Sequence, residues 1–282
     1  KRLDTQGNSC YLIENGIQWG LMMSENIPFV GLHAHSVAGS IFDGFGYPQE
    51  HMDFAFENGM DALALTDHGN MNGLSWQVLH AKKMQAAGKS FKPIFGCEAY
   101  FVPSIKEWRE DYERIMQDKK AARAAKKDET SGATVEDEGA SKKASRNILN
   151  RRRHLVLLAQ NQKGLNNLFK LVYTSHEDKY FYRKPRIDLK LLKEYNEGLI
   201  CSTTCISGPF AQVVWDNPEA SHEELVALMR PVVEDFIDIF GKERYFGELQ
   251  WNNIPEQHEL NKCIIELSKE YGIKLISTVD SH

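Results

Sequence analysis

No stretch of this chain approaches the eighteen or so consecutive apolar residues of a membrane span, and no apolar leader with a small-residue cleavage site opens it. The composition therefore predicts a soluble, cytoplasmic protein with no membrane partner. Cysteine is sparse. Cys10, Cys97, Cys201, Cys205 and Cys263 form an odd set without framework spacing, which predicts reduced thiols and excludes a disulfide scaffold. A basic excess is also missing. The formal net charge of −5 excludes a uniformly basic nucleic-acid binder and confines any such contact to a local patch. There is no internal repeat.

What the chain does have is a length of 282 residues, enough for one large α/β barrel or two modest domains. It starts at Lys1, and residues 1–27 carry short apolar stretches without a firm period, so they remain an unassigned N-terminal segment. His282 follows directly on an apolar strand, where a barrel would continue into a helix. The chain therefore reads as a fragment, its barrel truncated at the C-terminal end.

From Pro28 onward, short apolar runs alternate with amphipathic stretches, the pattern of a parallel α/β sheet or barrel. Strands are expected at PFVGLH (28–33), DALALT (61–66), KPIFGCEAYFV (92–102), HLVLLAQN (154–161), GLICSTT (198–204), RYFGELQ (244–250) and KLISTVD (274–280). Helices are expected at 48–59, ended by Gly59; from about Leu74 to Ala87, stopped by Gly88; at 163–176; at roughly 221–239; and at 255–272, with Pro255 in its first turn. Residues 105–150 interrupt the pattern. Their first part reads as a charged helix to about Lys127 and the rest lacks apolar residues to bury, so the whole reads as a charged, disordered insertion.

Nine candidate metal ligands stand at separated points, most of them at the ends of apolar runs. They are His33, His35, Asp43, His68, Glu98, His154, Cys205, Asp280 and His282. His33 and His35 lie two apart on an expected strand, so both side chains face the same way, and Asp280 and His282 repeat that spacing. The oxygen and imidazole set suits Zn²⁺, Mn²⁺ or Fe²⁺ better than Ca²⁺. Glu98 is placed as a bridging carboxylate, although a glutamate ending a strand is commonly solvated and a buried cysteine such as Cys205 is commonly a small hydrophobe. Asp67 can orient the site behind the ligands or cap the turn at Gly69.

ALALTDHGNM, PIFGCEAY, HLVLLAQNQKGLNNL, YRKPRID, GLICSTTC, ELQ, PEQ and TVDSH follow one another in this chain. Together they resemble the polymerase and histidinol phosphatase (PHP) domain, in the version at the N-terminus of the bacterial and phage C-family replicative polymerases, the DNA polymerase III alpha subunits. The resemblance covers residues 28–282 apart from the insertion. It implies a distorted (β/α)₇ barrel of TIM-like type with a trinuclear divalent centre held by the nine residues above, with Glu98, Asp280 and His68 as the residues assigned to catalysis. All nine positions hold competent ligands. The implied partners are DNA, through a primer 3′ end, and the other replicative polymerase subunits.

The expected chemistry is in-line attack on a phosphodiester by a water that divalent ions make acidic, with no protein nucleophile. That makes the activity a 3′–5′ exonuclease able to proofread, while nucleotidyl transfer would belong to regions outside these residues. Arg153, Arg183, Lys184 and Arg186 are the nucleic-acid-binding candidates, since cations interleave with aromatics over 180–186. A solvated loop over packed aromatics is the competing reading of that stretch. The alternatives for the whole chain are a free-standing phosphatase acting on a monoester such as histidinol phosphate, and a non-catalytic scaffold whose metals staple the barrel.

Overall fold

The computed structural model of the protein describes residues 29–128 and 148–282. The unassigned segment 1–27 and the part of the expected insertion from 129 to 147 lie outside the described residues. In chain order the elements are α1 (Pro48–Glu57), β1 (Ala62–Leu65), α2 (Leu74–Ala86), β2 (Lys92–Phe101), α3 (Ile105–Asp128) and β3 (Arg153–Ala159). They continue with α4 (Gln162–Ser175), the two-residue strands β4 (Phe181–Tyr182) and β5 (Lys184–Pro185), α5 (Leu189–Tyr195), β6 (Leu199–Ser202) and α6 (Pro209–Asp216). Last come α7 (His222–Phe240), β7 (Tyr245–Leu249), α8 (Pro255–Tyr271) and β8 (Lys274–Ser277). Among the described residues no helix is long and apolar enough to cross a membrane.

Six strands form one sheet in the order β1-β2-β3-β6-β7-β8. The segment expected as the strand PFVGLH is instead irregular, but it joins the two edges of that sheet. Gly31 bridges to Leu63 beside β1, and Ala34 bridges to Ser281 beyond β8, both in parallel sense. Backbone hydrogen bonds hold it on each side: Thr66 N–H to Ala34 O at 2.8 Å, and His35 N–H to Ser281 O at 2.8 Å. The result is an α/β fold whose sheet curls into a distorted TIM-like barrel, with this irregular segment as its seventh stave. At Gly31 the chain passes close to β1, where a Cβ would sit 2.7 Å from Leu63 Cδ1.

The barrel is not uniformly parallel, contrary to the pattern of the sequence. β3 runs antiparallel to both β2 and β6, whereas β1–β2, β6–β7 and β7–β8 are parallel. The physical reason lies in the connection. α3 leaves from the same end of the barrel that β2 reaches, and the chain returns there: Trp108 Nε1–H in the first turns of α3 donates to Leu149 O at 3.3 Å. Leu149 thus stands at that end, and the chain enters the sheet from there, so β3 runs backwards.

The first half of the expected insertion is therefore part of the fold. Ile105, Trp108 and Ile115 are buried, and Trp108 packs with Val102, Tyr112, Tyr180 and Tyr182. These apolar residues recur at helical spacing beneath the high charge of the segment, which gives α3 one buried stripe. The main core lies between β2, β3, β6 and β7 and the helices α4, α7 and α8, around Leu155, Leu168, Phe236, Tyr245 and Ile264.

Candidate metal centre

All nine expected ligands belong to one connected cluster, at the end of the barrel where β2 finishes and β3 begins. Glu98 is its centre and is fully buried. Its Oε1 lies 3.2 Å from His33 Nε2, 3.0 Å from His154 Nδ1 and 3.6 Å from Cys205 Sγ. Its Oε2 lies 2.5 Å from His68 Nδ1 and 3.7 Å from His35 Nε2. Asp280 Oδ1 closes the other side at 3.1 Å from His33 Nε2, 3.2 Å from His35 Nε2 and 3.4 Å from His282 Nε2. Asp43, the most solvent-facing carboxylate of the set, reaches His68 Nε2 at 3.2 Å. The His282 ring stacks on His35 with centroids 4.4 Å apart.

Local structure explains how each side chain arrives. Gly69 takes a positive φ of 67° directly after His68, and its N–H donates to Glu98 O at 2.9 Å, so the chain turns sharply once His68 has been delivered beside β2. Thr204 also has a positive φ, 65°, which a β-branched residue rarely accepts. Its hydroxyl holds the strain by accepting from Val156 N–H at 2.9 Å and donating to Ser202 O at 3.2 Å. The reward is that the next residue, Cys205, faces the cluster. Asp280 carries a third positive φ, 50°.

Asp67 is buried and clamps the loop that presents Asp43. It accepts from the Ser36 N–H at 2.7 Å, the Ser36 hydroxyl at 2.8 Å and the Ser40 hydroxyl at 2.9 Å. Ser40 Oγ lies 3.2 Å from His35 Nδ1, so Asp67 reaches an expected ligand through one hydroxyl. A residue that the sequence reading did not assign does so directly. Glu248, fully buried on β7, lies 2.8 Å from His33 Nδ1 through Oε1. It is itself held by the Ser202 hydroxyl at 2.5 Å, the Thr278 hydroxyl at 2.6 Å and Gln250 Nε2–H at 3.0 Å. The available signal was a carboxylate inside the apolar run YFGEL, which has no business in a core strand unless it is paired.

The electrostatics reflect this density of charge. Burial disfavours the His33 cation, yet Glu248 and Glu98 outweigh it and hold His33 well above its ordinary value. For Glu98, burial opposes ionisation, but His154, His33 and His68 overcome it and hold the carboxyl well below the usual range. Burial dominates at His35, whose value is lowered, and at Cys205, whose thiol is pushed up.

Divalent ions fit the donors present. His33 Nε2, His68 Nδ1 and Glu98 Oε2 are buried side-chain atoms without a hydrogen-bond partner, although each lies within 3.2 Å of an opposite group. Atoms crowded together yet misaligned for hydrogen bonding are what a set of metal ligands looks like. Three overlapping groups of donors could each hold an ion: His35, His68 and His282; His33, His35 and Glu98; and His68, Glu98 and His154.

The nucleic-acid candidates divide. Arg186 is fully buried, and its guanidinium donates to Arg151 O, Tyr182 O, Lys184 O and Leu149 O while lying over the Trp108 ring at 4.4 Å. Burial lowers it to about 10. It is a structural pin and is not available to a phosphate, which corrects the reading from the sequence. Arg183 is exposed at the turn between β4 and β5, and Lys184 Nζ lies 5.2 Å from the centre of the Tyr100 ring. Tyr100 borders both His154 and His68. A cleft of about 1050 Å³ opens beside His154 and is lined by Arg151, Arg152, Arg153 and Trp215.

The PHP domain model matches residues 31–252. The DNA polymerase III subunit alpha of Aquifex aeolicus (strain VF5) is 36% identical over 254 residues, covering 90% of this chain and 18% of that protein. The DNA polymerase III subunit alpha of Treponema pallidum (strain Nichols) is 32% identical over 254 residues, with the same two coverages. The chain thus spans 18% of the length of these relatives. Among solved structures, an amidohydrolase from Chromobacterium violaceum aligns with a TM-score of 0.42 and 17% identity, covering 90% of this chain and 87% of that one.

Proposed function

Because the chain belongs to the PHP domain family, we propose that its nine-residue cluster is a metal-dependent phosphoesterase centre, part of a DNA polymerase III alpha subunit, acting on a DNA 3′ end as a 3′–5′ exonuclease. The observation that carries this reading is the buried Glu98 with five potential ligands within 3.7 Å and one oxygen left without a hydrogen bond. Three divalent ions, Zn²⁺, Mn²⁺ or Fe²⁺, match the three overlapping donor groups.

When bound, such ions supply Lewis acidity to a phosphoryl oxygen and make a water acidic enough to attack phosphorus near neutral pH. The chain's own residues do the rest. Glu98 joins two of the three donor groups and so sets their separation. Glu248 orients His33, and Asp67 orients His35 through Ser40. Tyr100, with Lys184 and Arg152 over its ring at 5.2 and 5.3 Å, forms a cationic and aromatic margin next to His154. That margin suits a phosphodiester with a base to stack. Arg153 in the adjoining cleft and Arg183 on the β4–β5 turn would extend the contact along a single strand.

The polymerase setting rests on relatives at 36% and 32% identity over 90% of the chain. The reading is tested by giving Mn²⁺-loaded protein a 5′-labelled single-stranded oligonucleotide and histidinol phosphate in parallel. Shortening of the oligonucleotide with the monoester untouched supports it. Rapid release of phosphate from the monoester alone would replace it with a phosphatase, and inertness towards both with metal bound would leave a stapling role.

A further inference from the structure

A second cluster of metal-ligating side chains lies on the helices, sharing no residue with the centre around Glu98. His222 is the first residue of α7, fixed there by Ser221, whose hydroxyl accepts from Glu224 N–H at 3.3 Å. Glu259 and Cys263 stand one helical turn apart on α8, and Glu266 follows on the same face. His222 Nδ1 lies 2.6 Å from Glu259 Oε1 and 3.6 Å from Cys263 Sγ. One donor atom from each of these three residues lies within 4.8 Å of the other two.

Two features separate this cluster from an ordinary surface ion pair. Cys263 is fully buried, and its thiol is directed at the same imidazole nitrogen as the Glu259 carboxylate. The opposite ring nitrogen, Nε2, lies 2.9 Å from Glu266 Oε2. With an ion in place of a proton on Nδ1, a carboxylate that accepts from Nε2–H holds the ring in the orientation that supports metal-ligating histidines. Lys262 donates to the other Glu259 oxygen, Oε2, at 3.0 Å, so Oε1 is engaged by the imidazole and not by the lysine.

We propose that His222 Nδ1, Glu259 Oε1 and Cys263 Sγ bind a zinc-like divalent ion that staples the start of α7 to α8, with Glu266 as the outer carboxylate. The nitrogen, oxygen and sulfur set selects a borderline-soft ion over Mg²⁺ or Ca²⁺. Three protein ligands leave one position for water, in keeping with a site whose histidine and glutamate are about three-tenths exposed. Binding releases the thiol proton, and any proton on Nδ1, to solvent.

Cd²⁺ is the probe, because its thiolate complexes absorb in the near ultraviolet. Titration is made on the full chain carrying Cys10→Ser and Cys205→Ser, which leaves Cys97, Cys201 and Cys263, and the part of the absorption that is lost when Cys263→Ser is added reports on Cys263. The signal is expected to saturate near one ion per chain, to vanish when Cys263→Ser is added, and to need at least about tenfold more Cd²⁺ when His222→Gln is added. His222→Gln alters a partly exposed residue, so it keeps the test readable if Cys263→Ser folds poorly. Absence of thiolate absorption, or a titration unchanged by His222→Gln, would overturn the site and leave His222 as an imidazolium clamp between two glutamates.

Discussion

Glu98 and His154 meet at 3.0 Å although they are not paired in the β2–β3 ladder, where Glu98 opposes Val156 and His154 opposes Tyr100. The diagonal contact exists because β3 runs backwards. Its first residues occupy the barrel end that the parallel strands reach with their last, so a histidine at a strand start joins ligands from strand ends. Removing this one imidazole tests that geometry. His154→Ala should lower divalent-ion affinity by at least about tenfold, while the thermal midpoint of chelated protein moves little, since the side chain is only partly buried. Unchanged affinity in a competitive chelator titration would show that His154 does not belong to the centre.

Glu248→Gln probes the carboxylate behind His33. The substitution keeps the volume but removes the charge that orients the ring, and should weaken metal binding by about 10- to 100-fold. A variant that binds metal as tightly as the wild type would reduce Glu248 to a structural role.

The pH dependence of the metal-free protein follows from opposed shifts. His33 is raised, so its contribution to stability is complete below its ordinary value of 6.5 and is lost as pH rises through the higher folded-state value. Glu98 is lowered, so its contribution is present above its ordinary value of 4.5 and is lost as pH falls through the lower folded-state value. Melts in chelator should therefore lose stability on both sides of that interval. Metal binding must displace the His33 proton, so affinity should rise with pH above 6.5 and protons should be released on titration. Binding without proton release in that range would contradict the assignment of His33.

Arg183 and Arg186 should part company. Arg183→Ala should weaken single-stranded DNA binding and flatten its salt dependence with no change in melting temperature. Arg186→Ala leaves four backbone carbonyls short of a donor and should destabilise the fold by at least about 2 kcal/mol. Equal melting temperatures for the two variants would refute the distinction.

The members of the cluster were legible because most of these side chains lie at or beside strand ends, and strand ends show in the apolar runs of DALALT, PIFGCE and TVD. The direction of β3 was not. Local patterning carries periodicity but no sign for the strand, and the reversal goes with long-range contacts such as that of Trp108 with Leu149. Charge hid the buried stripe of α3, and the cations around Arg186 look alike in sequence whether they face solvent or four carbonyls. Glu248 was missed for a related reason: its partner His33 lies 215 residues away.

The central claim, that Glu98 organises a multinuclear hydrolytic centre, is tested most directly by counting divalent ions in wild type and in Glu98→Gln purified side by side, with oligonucleotide cleavage measured on the same samples. Glu98 belongs to two of the three donor groups of the centre, so the variant should carry about two fewer ions per chain and lose cleavage by orders of magnitude. A wild type without stoichiometric metal, or a variant with the same ion count and the same cleavage rate, would contradict the account.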